Sequence, residues 1–278
     1  LQIKNRAIVR AGTFVVNRDL TMTGNAILTH DTTTTVTTYR LDFTVADETN
    51  IDATSSINVF GKGYLAGYTA DGSGNPTTSS AATLNSGGGH GGYGGFVSGV
   101  AGIPYDSIFE PLHPGGGSAS SGAVSGGGYV KLTTNSLVLA GTINTNASAS
   151  NGGANTGAGG GVWIIVPGTV SVTGTIVANG GSGVINNSHG IGSGGRIAMH
   201  YDTSVPGNPS TATLAAQLQA YSGTGSGGTL YGAAGTVYLE DTSTHTNDDC
   251  VVIVNNNNLA TIAFTTPVSS VSSRALFK

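Results

Sequence analysis

The sequence predicts an all-β fold, a right-handed parallel β-helix (β-solenoid) with Gly-rich loop insertions. Three observations predict it: a unit that recurs after Gly-Gly, β-type alternation throughout, and no stretch with the i, i+3, i+4 apolar spacing of a convincing helix. The recurring unit reads Gly128-Tyr-Val-Lys-Leu, Gly161-Val-Trp-Ile-Ile, Gly195-Arg-Ile-Ala-Met and Gly235-Thr-Val-Tyr-Leu. Its members start 33, 34 and 40 residues apart (161 − 128, 195 − 161, 235 − 195). Self-similarity at that period marks stacked units, each burying its apolar face against the next.

The elements follow in order. Residues 1–60 carry the β-patterned pieces Ala7–Arg10, Thr13–Val16, Leu20–Thr23, Ala26–Thr29, Tyr39–Val45 and Ser56–Phe60, punctuated by Asn, Gly, Asp and Thr. An insertion occupies residues 64–127, and regular units resume at Gly128. The first three units lead into a second alternation: Leu137–Ile143, Val170–Ile176 and, more loosely, Leu214–Leu218. Stacking aligns Ile57, Ile143, Ile176 and Leu218 in one interior column. Thr213–Ala220 reads as either a helical turn or a strand; its echo of Ile176–Gly181 favours the strand. Gly-rich spacers at 151–160 and 181–194, with the large insertion, are expected to pack on one another. The whole of 1–278 is read as one β-solenoid segment of a larger protein, with Ser269–Lys278 as the opening of a further strand.

Composition narrows the function. Charged residues are 9% of the chain, Gly numbers 46 and the net charge is −4. Surfaces must therefore be built from Ser, Thr, Asn and backbone, and the ten scattered Lys and Arg supply no patch to neutralise phosphates, which argues against nucleic acid. No apolar run reaches the ~20 residues of a membrane span, so no membrane insertion is expected. Cys250, alone beside Val251–Val254, reads as a buried thiol.

Chemistry-bearing residues were weighed against structural roles. The carboxylate sets Asp42/Asp47/Glu48/Asp52, Asp106/Glu110 with His113, and Glu240/Asp241/Asp248/Asp249 are the candidates for acid–base work. No basic concentration accompanies them, since Lys62, Lys131 and Arg196 stand singly in sequence. Arg196 is expected to hydrogen-bond loop carbonyls. Asp71-Gly-Ser-Gly-Asn75 suits an Asx turn better than a calcium loop. His90 and His113 share the insertion, but no zinc spacing is present. No metal, cofactor or catalytic residue is expected. Tyr64, Tyr68, Tyr93 and Tyr105 are the candidate carbohydrate-binding residues, with anchoring of the insertion as their structural role. The Thr29–Thr38 run lacks the per-rung repeat of an ice-binding array.

A resemblance adds to this reading. The order Leu41-Asp-Phe-Thr-Val45, Gly61-Lys-Gly-Tyr64, His90-Gly-Gly-Tyr-Gly-Gly95, Gly126-Gly-Gly128, Gly174-Thr-Ile-Val-Ala-Asn-Gly-Gly181, Gly192-Ser-Gly-Gly-Arg-Ile-Ala198 and Gly232-Ala-Ala-Gly-Thr-Val-Tyr-Leu239 resembles the Gly-rich repeat modules of very large bacterial secreted and cell-surface proteins. It spans about residues 20–258. The resemblance implies a parallel β-helix, an extracellular or cell-surface location and a structural or adhesive role, without catalytic residues. The expected function is a non-catalytic element of a bacterial extracellular adhesin, sheath or filament, self-assembling end to end through neither end's having a recognisable cap. Its expected partners are copies of itself or adjoining modules, and surface polysaccharide. A carbohydrate-binding adhesion module is the alternative, and a polysaccharide lyase or hydrolase the third reading.

Overall fold

A computed structural model describes residues 1–119, 124–150, 153–184, 188–226, 230–243, 250–259, 265–268 and 275–277. Among them the structure is all-β but for one five-residue helix. The N-terminal elements are β1 (Gln2–Lys4), β2 (Ile8–Arg10), β3 (Thr13–Val16), β4 (Leu20–Thr23), β5 (Ile27–Thr29), β6 (Leu41–Ile51) and β7 (Ser56–Asn58). The insertion that follows holds β8 (Thr69–Ala70) and β9 (Pro76–Thr77). Regular strands resume as β10 (Tyr129–Leu139), β11 (Thr142–Asn144), β12 (Gly161–Val166), β13 (Val170–Val172), β14 (Thr175–Val177) and β15 (Gly183–Val184). The last elements are β16 (Arg196–Tyr201), α1 (Thr211–Ala215), β17 (Leu218–Gln219), β18 (Gly225–Ser226), β19 (Thr236–Asp241), β20 (Cys250–Ile253) and β21 (Ala275–Phe277).

Two sheets dominate. Sheet one runs β1-β4-β6-β10-β12-β16-β19-β20-β21, with β3 also on β6 and β13 on β10. Sheet two runs β17-β14-β11-β7-β5-β2. Sheet two is parallel throughout, and sheet one is parallel except for the β19–β20 pair. The chain alternates between them, placing successive strands side by side in each. A one-residue slip would turn every core side chain outward, so the burial pattern pins the register.

The register matches the expected column. Val9, Leu28, Ile57, Ile143, Ile176 and Leu218 lie on successive strands of sheet two. Facing them are Leu41, Val130, Val162, Ile197 and Val237 of sheet one. All but the partly buried Val9 belong to one apolar core cluster. Phe14 adds a stacked ring on Phe43, with centroids 4.9 Å apart. Polar residues on alternate positions face outward, as the period of two requires.

Three local expectations change. Gly161 aligns with Tyr129 and Arg196, not with Gly128 and Gly195, so the aligned positions are Gly128, Gly160, Gly195 and Gly235. A run of three glycines at 159–161 hides that slip in the sequence. The Thr213–Ala220 run begins as helix because Ser210 Oγ accepts from the Thr213 N–H (3.2 Å), a side-chain N-cap, and the strand resumes only at Leu218. At the far edge, β20 lies antiparallel on β19, so the parallel repeat is not continued there.

One hydrogen bond recurs where the chain passes from sheet two back to sheet one. Gly128, Gly160, Gly195 and Gly235 donate their N–H groups to the carbonyls of Val59, Thr145, Ala178 and Ala220, at 2.7 to 2.9 Å. Each acceptor lies just past a sheet-two strand. This repeated bond ties the chain's return to sheet one, and close approach accounts for glycine at that point: a Cβ on Gly128 would sit 2.5 Å from His30 Nε2.

His30 is the most buried imidazole in this inner layer to show a large perturbation. Its Nδ1 donates to Asp31 O (2.6 Å), and its Nε2 accepts the Tyr129 N–H (3.2 Å). Burial pushes the ring down from 6.5 to about 4, with the Lys62 charge acting in the same direction. Because the folded value lies below the unfolded one, the unfolded chain binds more protons between pH 6.5 and 4. The stabilisation is whole above pH 6.5 and is lost as pH falls to about 4. Its size is about 3 kcal/mol. Urea unfolding at pH 7 and pH 4 should therefore show His30→Gln losing about 3 kcal/mol less than the native chain over that interval; equal losses would contradict this role.

Candidate functional site

The insertion lies against sheet one and the Gly-rich spacers, and its backbone packing follows from its glycines. Gly88 donates to Thr156 O (3.0 Å), Gly91 to Gly194 O (3.0 Å), Gly95 to Ile191 O (2.7 Å) and Gly127 to Ala158 O (2.9 Å). Ser193 returns a bond to Gly88 O (3.0 Å). Main chains approach so closely that a Cβ at Gly89, Gly115, Gly126 or Gly159 would meet neighbouring backbone inside contact distance. The layer thus replaces side-chain packing with backbone hydrogen bonds between segments of the chain. Its buried N–H and C=O groups are satisfied by one another.

A polar hub fastens the insertion to the sheet. Asp106, its backbone at φ 73°, accepts the N–H groups of Ser107 (2.9 Å), Leu112 (2.8 Å) and His113 (2.8 Å). His90 Nε2 lies 3.4 Å from Asp106 Oδ2, both side chains being almost wholly buried, at 0% and 3% exposure. The other ring nitrogen of His90 lies 2.8 Å from Gly159 O. Burial would raise the Asp106 carboxyl, but the His90 hydrogen bond, the His90 and His113 charges and the His113 N–H together hold it below its usual range.

Arg196 reaches the same hub from β16. Its Nε donates to Tyr105 O (2.8 Å) and its Nη1 to Thr236 Oγ1 (3.0 Å). Burial lowers the guanidinium to about 10, with Asp106 and Tyr105 opposing the shift. The loop-carbonyl role expected of Arg196 is the one the geometry supplies. On the other side, Arg40 Nη2 lies 3.1 Å from His113 Nδ1, and burial followed by the Arg40 charge keeps His113 below its ordinary value.

The four candidate tyrosines divide. Tyr64 is fully buried and donates to Gly74 O (2.8 Å), leaving no ring face for a sugar. Tyr105 donates to Pro114 O (2.5 Å) and tilts against His90 at 4.8 Å between centroids. Both act as anchors of the insertion. Tyr68 and Tyr93 are partly buried, and the enclosure of Tyr64 keeps it out of any exposed platform of the four rings.

Carboxylates of the other candidate sets are held by hydroxyl and N–H donors. Asp52 is held at about 2: against its burial, hydrogen bonds from Gly24, Ser55 and Thr54 stabilise the anion. Asp241 accepts the Thr203 N–H (3.0 Å) and hydroxyl, while Asp248 and Asp249 lie outside the described residues. Asp71 Oδ1 accepts the Ser73 and Asn75 N–H groups (2.8 Å each), making the Asx turn. Among the described residues no three His, Cys, Asp or Glu are grouped to hold a metal ion. No helix among them is long and apolar enough to cross a membrane. Cys250 is buried and accepts from Tyr238 Oη at 3.3 Å.

Two clusters escaped the sequence reading. On the outer face of sheet one, His200 lies between Phe109 O (2.9 Å) and Glu240 Oε2 (3.3 Å), and Lys131 Nζ sits 4.2 Å from the Trp163 ring centroid. A signal existed for the first: His200 and Glu240 each stand five residues after an aligned glycine, and they pair across β16 and β19. On sheet two, Arg10 and Lys62 converge on one groove, although 52 residues separate them (62 − 10). Compared with protein-family models, curated proteins and solved structures, the chain matches none of them.

Proposed function

We propose that the chain is a right-handed parallel β-helix segment serving as a non-catalytic structural element of a bacterial extracellular adhesin, sheath or filament. The observation that carries this reading is the in-register alignment of interior residues through six successive strands of sheet two, with the glycine hydrogen bond recurring after the last four of them. The resemblance of its Gly-rich order to bacterial surface-protein modules supports the location. A layer held by backbone bonds and nearly free of charge favours stiffness over chemistry. Carboxylates engaged by backbone N–H groups, as at Asp52, Asp71 and Asp106, are poorly placed for proton transfer.

End-to-end assembly has fuller support at one end than at the other. β1, β2 and β3 leave unpaired strand edges among the described residues; at the far end β17 also ends sheet two unpaired, but in sheet one the antiparallel β20 covers β19 and interrupts the parallel repeat. The role as a spacer joined to adjoining modules is therefore favoured over a free polymer. Negative-stain electron microscopy at micromolar concentration should show discrete particles without long filaments. Incubation with neutral and acidic polysaccharides should release no reducing ends and no unsaturated products. Product release would overturn the non-catalytic reading, and long regular filaments would replace the spacer role with self-assembly.

A further inference from the structure

The outer face of sheet two carries a shallow groove of about 250 Å³ near its β2 edge. Its floor is formed by Ile8 and Ile27, paired across β2 and β5, and it is bounded by Thr29, Asn58 and the ring of Phe60. Ile8 is 62% exposed and Phe60 44%, so the groove offers both an aliphatic and an aromatic surface to a ligand. Arg10 and Lys62 flank the same groove. Lys62 donates its ammonium to His30 O, and burial together with the Arg10 charge lowers its pKa. Among the described residues the carboxylate ion-paired at this groove is Asp31, 3.4 Å from Arg10 Nη1, and both partners are more than half exposed (69% and 55%). Such an exposed pair is worth at most ~1 kcal/mol and exchanges readily.

These features specify a ligand chemistry. An exposed aromatic ring beside an aliphatic floor suits the apolar face of a sugar ring, and flanking cations suit a carboxylate. Two cations are too few for a nucleic-acid backbone on a chain of net charge −4. A peptide that lengthened the sheet would pair with the β2 edge, but this groove crosses the strand faces, where only side chains are available for recognition. We propose that the groove binds an acidic polysaccharide, with a uronate ring lying on Phe60 over Ile8 and Ile27 and its carboxylate taking Arg10 and Lys62 in place of Asp31. This adds a ligand to the chain without depending on its structural role.

The test is titration of the whole chain with tetragalacturonate, followed by calorimetry and amide chemical shifts, beside its methyl ester and an oligosaccharide sulfate of equal charge. Saturable tetragalacturonate binding that shifts amides of β2, β5 and residues 58–62 is expected, with the ester at least tenfold weaker and the sulfate no tighter. Arg10→Gln and Phe60→Ala should each weaken binding about tenfold, and Asp31→Asn should strengthen it by removing the resident competitor. Arg10 and Phe60 are exposed, so an unchanged far-ultraviolet circular dichroism spectrum will separate lost binding from lost folding. Equal binding of the ester, tighter binding of the sulfate, no saturable binding, or undiminished affinity in both variants would overturn the proposal.

Discussion

Gly160→Ala is expected to destabilise the chain by about 3 kcal/mol or more, although it adds one methyl group. Gly160 donates to Thr145 O (2.8 Å) and accepts from Arg196 N (3.0 Å), fixing its backbone between two circuits. A Cβ there would press on the Gly128 carbonyl oxygen, with Gly127 backbone atoms 2.8 and 2.9 Å away. Gly128 O cannot yield freely, because it accepts the Gly161 N–H (3.1 Å) in the same layer. Most overpacked cores relax by a change of rotamer; here only main chain surrounds the methyl. Gly72→Ala is the control, since a Cβ at that exposed position meets nothing within 4 Å, and it should change stability by no more than about 0.5 kcal/mol. Urea midpoints of the two variants decide the matter: similar values would mean that the glycines are not there for close approach.

The same close packing explains what could be read from sequence. Alternation alone placed β2 through β5 and β7 within a few residues but ended β6 at Val45, six residues short of Ile51, and the recurrence after glycine located β10, β12, β16 and β19. It also gave the Ile57, Ile143, Ile176, Leu218 column, because interior residues repeat in type as well as position. The slip at Gly161 shows the limit: inside Gly159-Gly160-Gly161 every residue is chemically equivalent, and only the hydrogen bond to Thr145 O singles out Gly160. The α1 turn depends on a Ser210 cap worth about 1 kcal/mol, too little to dominate an alternating pattern. The antiparallel turn of β20 leaves no mark in Cys250–Ile253, whose apolar run suits either direction.

Site residues were legible to the extent that their partners were local. Asp71 and its turn lie within five residues, and Arg196 needed only a nearby loop to supply a carbonyl. Asp106, Glu110 and His113 stood out as a set, yet the choice of Asp106 as the hub required His90 and the turn that brings Leu112 and His113 back onto its carboxylate. Arg10 and Lys62 looked isolated because their meeting depends on how strands stack. Sequence distance hides such pairs wherever adjacent strands of a parallel sheet are joined by long connections.

Asp106→Ala is expected to cost about 3–5 kcal/mol and to release the insertion before the sheets unfold. The substitution removes an acceptor from three N–H groups, leaves His90 Nε2 without its carboxylate and deprives the buried Arg196 of an opposing charge. Buried groups that lose a partner carry their full desolvation cost, which exceeds the net worth of the original bonds. Asp106→Asn keeps one carbonyl acceptor and about the same volume, so it should lie between the native chain and the alanine variant. Since the folded Asp106 carboxyl is held below its usual 3.8, its contribution is complete above that pH and is lost as pH falls through the folded value. Hydrogen exchange separates a latch from a generally weakened protein. In Asp106→Ala, exchange at Leu112 and His113 should rise by orders of magnitude, while Ile143 and Ile176, in the sheet-two interior, should keep most of their protection. Uniform loss across both sets would make Asp106 part of one cooperative unit, and unchanged exchange at Leu112 would mean that the hub does not hold the insertion down.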